Sequence, residues 1–169
     1  MNNTAHSLPC RIADEDIQSL LAYEAQLLNE ARFADWLELF TEDAVMWVPA
    51  QPDQDDPEDQ ISLFYDDREL LELRVKRLSH PRLHSQDPMT RSVRLVGNST
   101  VARDQLPDSQ RITVHSSFIL LDYRRRLHRF FGGTYEHRLR REAGQWRIEA
   151  KTVRLINADD YQSNFGIPI

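Results

Sequence analysis

The chain has 169 residues, 40% hydrophobic and 28% charged, with a formal net charge of −6. That mix suits one globular domain with a fair-sized core, and the acidic balance argues against general nucleic-acid affinity, which needs a basic face. The single cysteine, Cys10, excludes an internal disulfide, a Rieske centre and a four-cysteine cluster within this chain. No stretch nears the roughly 18–20 apolar residues of a membrane span. The opening MNNTAHSLPC has no basic stretch followed by an apolar run. A cytoplasmic protein is the expectation. With five glycines there is neither a phosphate loop nor a dinucleotide fingerprint.

In chain order, residues 1–12 read as a loose arm. Ile17, Leu20, Leu21, Glu24, Leu27, Leu28 and Ala31 then keep helical spacing with one polar interruption, predicting a helix over 14–31. Asp14, Glu15 and Asp16 suit its N-terminus, where the helix dipole favours negative charge. Asp35 followed by Glu38 resembles a capping box before a short apolar helix built on Trp36, Leu37, Leu39 and Phe40. Ala44–Val48 reads as a strand stopped by Pro49. Residues 49–60 form an acidic, solvated loop.

ISLFY (61–65) reads as a strand, and DDRELLELRVKRL (66–78) as a helix capped by Asp66 or Asp67. Its apolar positions are Leu70, Leu71, Leu73, Val75 and Leu78, and Pro81 ends it. Four strand-like runs follow, with Ile112, Val114, Ser116, Phe118 and Leu120 alternating, as do Trp146, Ile148, Ala150 and Thr152. REAG (141–144) is a hairpin turn, and Gly132-Gly133 suggests a bulge with sharp curvature. Helices followed by long antiparallel strands make an α+β layout, with a curved sheet wrapping the N-terminal helices.

Three segments, ARFADWLELFTEDAVMWVP, ISLFYDDRELLELRVKRL and HPRLHSQDPMTRSVRLVGN, resemble the small (beta) subunit of aromatic-ring-hydroxylating dioxygenases. The likeness runs from about Asp14 to Asn157. The first segment is shared more widely among nuclear-transport-factor-2-like (NTF2-like), or SnoaL-like, proteins. The resemblance implies a single domain over 1–169 with that cone fold: a mainly antiparallel mixed sheet around the helices. It also implies a partner alpha (large) subunit that carries a Rieske iron–sulfur cluster and a mononuclear iron, and a three-plus-three hexamer. No cofactor, catalytic residue or metal ligand is then expected in this chain. The acidic loop and ISLFYDD look most like members acting on aromatic acids, such as benzoate.

Three sets of residues are candidate sites. His80, His84 and Asp87 have the composition of a two-histidine, one-carboxylate iron site. Pro81 and Pro88 push His80 and Asp87 out of helical conformation, so helical spacing does not bring the three together. A loop that packs against a neighbouring subunit is the favoured reading for His80, Arg82, His84 and Asp87. Arg91 and Arg94 lie three apart on a strand and point to opposite faces, so one can pair within the domain while the other meets a partner. The basic runs 123–129 and 137–141 suit strand ends and turns that discourage edge pairing, or a contact with an acidic subunit surface. The alternative function is a free-standing cone-fold isomerase or dehydratase, or a ligand-binding module, with a pocket built from His115, Tyr135 and His137. Tyr135 and His137 share a face, but no carboxylate partner stands near them in the sequence.

Overall fold

The computed structural model describes residues 10–12, 15–58, 61–78, 88–102, 110–159 and 168–169. The periodic N-terminal stretch forms helix α1, Glu15–Asn29, with Ile17, Leu21, Leu27 and Leu28 buried along one stripe. It ends in a Schellman turn. The Arg32 amide donates to the Leu27 carbonyl at 2.8 Å and the Ala31 amide to the Leu28 carbonyl at 3.3 Å, with Ala31 at φ 55°. That left-handed position favours glycine over alanine. Ala31→Gly is therefore expected to raise stability by about 0.5–1 kcal/mol, read as a higher urea midpoint at unchanged slope.

Helix α2, Phe33–Leu37, buries Phe33, Trp36 and Leu37. Its N-cap is Arg32 rather than Asp35. Asp35 lies inside the helix and accepts from Arg32 Nε at 2.7 Å, so the capping-box expectation is replaced by an ion pair. Strand β2, Phe40–Pro49, starts four residues before the expected Ala44, and Phe40 belongs to it and not to the helix. β3 is Ser62–Asp67 and α3 is Arg68–Leu78. Asp67 caps α3 by accepting from the Leu70 amide at 2.9 Å. Only Leu71 and Val75 of its apolar positions are fully buried, and Leu70 and Leu73 face outward.

The four C-terminal strands are β4, Arg91–Ala102; β5, Arg111–Arg124; β6, Leu127–Glu142; and β7, Gln145–Leu155. Cys10–Ile12 is a short strand, β1, antiparallel to β4, so the loose arm does not extend over these residues. The sheet order is β1-β4-β5-β6-β7-β2-β3. Every pairing is antiparallel except β2 with β7, which makes the sheet mixed. Its inner face and the helices share one core, centred on Trp36, which meets Phe40 edge-on at 4.9 Å.

Pairing of β5 with β6 runs without interruption through Gly132 and Gly133, so no bulge sits there. Gly133 instead permits close approach: a Cβ would overlap the carbonyl oxygen of Arg154 on β7. Gly133→Ala is expected to cost about 2–3 kcal/mol by forcing β6 and β7 apart, measurable as a drop in Tm. The interruption lies at Glu149, where Arg138 pairs with Ala150 but Leu139 with Ile148. That extra residue moves Lys151, Val153 and Leu155 onto the inner face and ends the alternation expected through Thr152.

Residues 49–60 are not wholly solvated. Gln54 is buried, accepts from the Ala50 amide at 3.1 Å and donates to Ser62 Oγ at 3.3 Å. Arg154 donates to the Gln54 carbonyl at 2.7 Å and so ties this loop to β7.

Candidate functional site

Four elements place polar or ionisable side chains at the centre of the cone. Glu24, the polar interruption in α1, points inward with the apolar stripe and is buried. His137 and Lys151 are direct cross-strand neighbours on β6 and β7, and both are fully buried. Trp36 comes from α2. Glu24 Oε1 accepts from Lys151 Nζ at 2.8 Å and Trp36 Nε1 at 3.1 Å, and Oε2 faces His137 Nε2 at 3.0 Å. A carboxylate only accepts, so His137 carries its proton on Nε2. Among the described residues its Nδ1 has no hydrogen-bond partner.

Tyr135 lies one inward position from His137, with ring centroids 5.6 Å apart. Lys151 Nζ stands 4.2 Å from the Tyr135 centroid, a cation over a ring face. The other side of that ring stacks on Phe118 at 4.0 Å and 2°. Arg94, from β4, is buried as well. It donates to the Asn29 side chain at 3.3 Å and to the Pro168 carbonyl, next to buried Ile169.

Burial would raise the Glu24 carboxyl, but Lys151 and His137 together hold it well below the usual carboxylate range. Burial pushes His137 down, with Glu24 pulling partly the other way. It also pushes Lys151 down against the same carboxylate. Tyr135 is raised by burial, so its hydroxyl keeps its proton. The resting cluster is thus a carboxylate, an ammonium, a neutral imidazole and a neutral phenol.

This arrangement does not suit a metal ion. Both oxygens of Glu24 are engaged, and the Lys151 ammonium would repel a cation at the same place. Among the described residues no group of three or more His, Cys, Asp or Glu stands close enough to hold one. With one cysteine in the chain, a Rieske cluster finds no ligand set here either. Two openings, about 760 and 420 Å³, lie between α1 and β4, and neither is lined by Glu24, Tyr135, His137 or Lys151.

The structure joins Tyr135 and His137 but sets His115 apart. His115 is half exposed on the outer face, 3.9 Å from Glu136. Glu24 and Lys151 complete the cluster without having been singled out in the sequence. Arg91 and Arg94 do point opposite ways: Arg91 is exposed over the Tyr123 ring at 4.9 Å, and Arg94 faces the interior. His80, Arg82, His84 and Asp87 lie outside the described residues. The basic runs are partly neutralised within the chain. Arg129 makes a two-pronged pair with buried Asp122 at 2.6 and 2.8 Å. Arg140 pairs with Asp43, Glu142 and Glu149.

A family model described as "Ring hydroxylating beta subunit" matches residues 23–159. The chain belongs to that family. It is 35% identical over 148 residues to the small oxygenase component of the p-cumate 2,3-dioxygenase system of Pseudomonas putida, covering 85% of this chain and 79% of that one. Over 162 residues it is 33% identical to the benzoate 1,2-dioxygenase beta subunit of Acinetobacter baylyi, covering 93% of each. The crystal structure of the benzoate 1,2-dioxygenase beta subunit from Burkholderia mallei superposes with a TM-score of 0.71 at 29% identity, covering 86% of this chain and 92% of that one. An NTF2-like protein from Novosphingobium aromaticivorans shares the fold at 15% identity, with a TM-score of 0.59 over 85% of this chain and 81% of that one. The cone fold and the beta-subunit resemblance both hold. As a beta subunit, the chain is the non-catalytic part of an oxidoreductase complex.

Proposed function

We propose that this chain is the small subunit of a cytoplasmic oxygenase that adds both atoms of O₂ to the ring of an aromatic acid of the benzoate type, giving a cis-diol. The two electrons come from NADH through a reductase. The Rieske cluster and the mononuclear iron belong to the partner alpha subunit, and the assembly is a trimer of this chain joined to alpha subunits as a hetero-hexamer. The loop with His80, Arg82, His84 and Asp87, together with exposed Arg91, meets a neighbouring subunit. Arg94 supports that edge from within.

The observation that carries the reading is the closed cluster at the cone centre. In a cone-fold isomerase or dehydratase, an acid and a base would have to face substrate. Here Glu24, Lys151 and His137 are taken up with one another, deep in the core. The aromatic-acid assignment is supported by two relatives named for p-cumate and benzoate dioxygenases.

The experiment is to purify the tagged chain from its native cells, identify what accompanies it, and supply the complex with reductase, NADH and either benzoate or benzene. An iron-bearing large subunit and a benzoate product heavier by O₂ and two hydrogens are expected. No such companion would contradict the subunit reading. A diol from benzene but none from benzoate would contradict the aromatic-acid reading.

A further inference from the structure

We propose that the opening of about 420 Å³ between α1 and β4 binds a small carboxylic acid, with its carboxylate on the Arg94 guanidinium and its apolar body against Ala22, Ala25 and Val96. Arg94 lines this opening and is only 5% exposed. Its Nη1 donates to Asn29 Oδ1 at 3.3 Å and its Nη2 to the Pro168 carbonyl, both neutral acceptors. Among the described residues Nε has no hydrogen-bond partner, and no carboxylate pairs with the guanidinium. The buried carboxylates are committed elsewhere: Glu24 to Lys151, Asp122 to Arg129 and Asp66 to Arg74. Arg94 is therefore a desolvated cation whose own acceptors carry no charge, and such a group is costly to bury. A bound carboxylate supplies the missing charge through a charge-assisted hydrogen bond, which is strongest where water is excluded.

The walls suit such a ligand. Ala22 and Ala25 put small side chains on the α1 side, which leaves room between helix and strand, and Val96 lines the β4 side. Asn29 also lines the opening. It accepts from Arg94 with Oδ1, so its amide nitrogen is left to donate to the same carboxylate. Glu30 is the one acidic group in the lining, and it is held by Gln26 Nε2 at 2.9 Å and Arg32 Nη1 at 3.4 Å. The volume falls within the roughly 300–1,000 Å³ of small-molecule sites, where a few placed polar groups fix an otherwise apolar ligand. The neighbouring opening of about 760 Å³ shares Ala22 and Val96, so the body of a longer acid can run on along α1. The inference uses no residue of the Glu24 cluster, and it stands or falls separately from the subunit and substrate readings.

The test is calorimetric titration of the purified full chain with benzoate, and with benzyl alcohol as a ligand of the same shape class without the charge. Saturable binding of benzoate at one site per chain is expected, with benzyl alcohol bound at least tenfold more weakly. Arg94→Gln should weaken benzoate binding about tenfold or more, the loss of one charge-assisted hydrogen bond. Ala25→Leu leaves every donor in place and fills the opening, so it should weaken benzoate to a similar extent. It keeps the test decisive where Arg94→Gln does not fold, and circular dichroism checks both variants. No saturable binding of benzoate by the parent would overturn the proposal. So would equal binding of benzyl alcohol, or undiminished benzoate binding by either folded variant.

Discussion

Lys151→Met is expected to destabilise the fold by about 3–5 kcal/mol, because it leaves the Glu24 carboxylate buried without its cation. Met matches the Lys151 stem closely enough that little of the loss is packing. Glu24→Gln should also be costly, since it strands the Lys151 ammonium in the same dry place. The double variant Glu24→Gln/Lys151→Met should recover much of the loss. Its glutamine oxygen still accepts from Trp36 or His137, and no uncompensated charge remains. Equilibrium unfolding of the four proteins closes a double-mutant cycle, with an expected coupling above about 2 kcal/mol. Additive losses would mean that the two charges do not sense each other.

Stability should fall steeply in acid. His137 sits below the ordinary 6.5 of a histidine, so below that pH the unfolded chain takes up a proton that the folded chain refuses. Protonation would also place a second N–H on Nδ1, which meets no acceptor among the described residues. Glu24, held below the ordinary 4.5, adds a second loss of the same sign as the pH falls past that value. Urea midpoints measured from pH 8 down to pH 4 should decline in these two stages. His137→Gln should flatten the first stage and leave the second. A midpoint independent of pH between 7 and 5 would contradict a neutral buried imidazole.

The framework of the fold was readable because each layer follows a simple period. The α1 stripe and the alternation of Ile112, Val114, Ser116, Phe118 and Leu120 appear in the structure as read. The site was only half readable. Glu24 was visible as a polar residue on an apolar stripe, but its partners lie 113 and 127 residues away. Lys151 was hidden by the bulge at Glu149, which reverses the inward phase and has no signature in residue type. His115 could have been excluded, since the alternation of β5 already sets it opposite Val114 and Ser116. Asp35 misled because an aspartate three before a glutamate suits a cap, whereas Arg32 beside it offered a stronger partner.

The most direct test of the central claim, a non-catalytic subunit whose interior polar cluster holds the fold, is turnover by the assembled oxygenase with Tyr135→Phe or His137→Gln in this chain. Assembly is confirmed by mass, and folding by circular dichroism. Rates within a few-fold of the parent are predicted, because neither group meets the substrate. A variant that assembles normally yet loses about a thousandfold in rate, as when an essential acid or base is removed, would contradict the account.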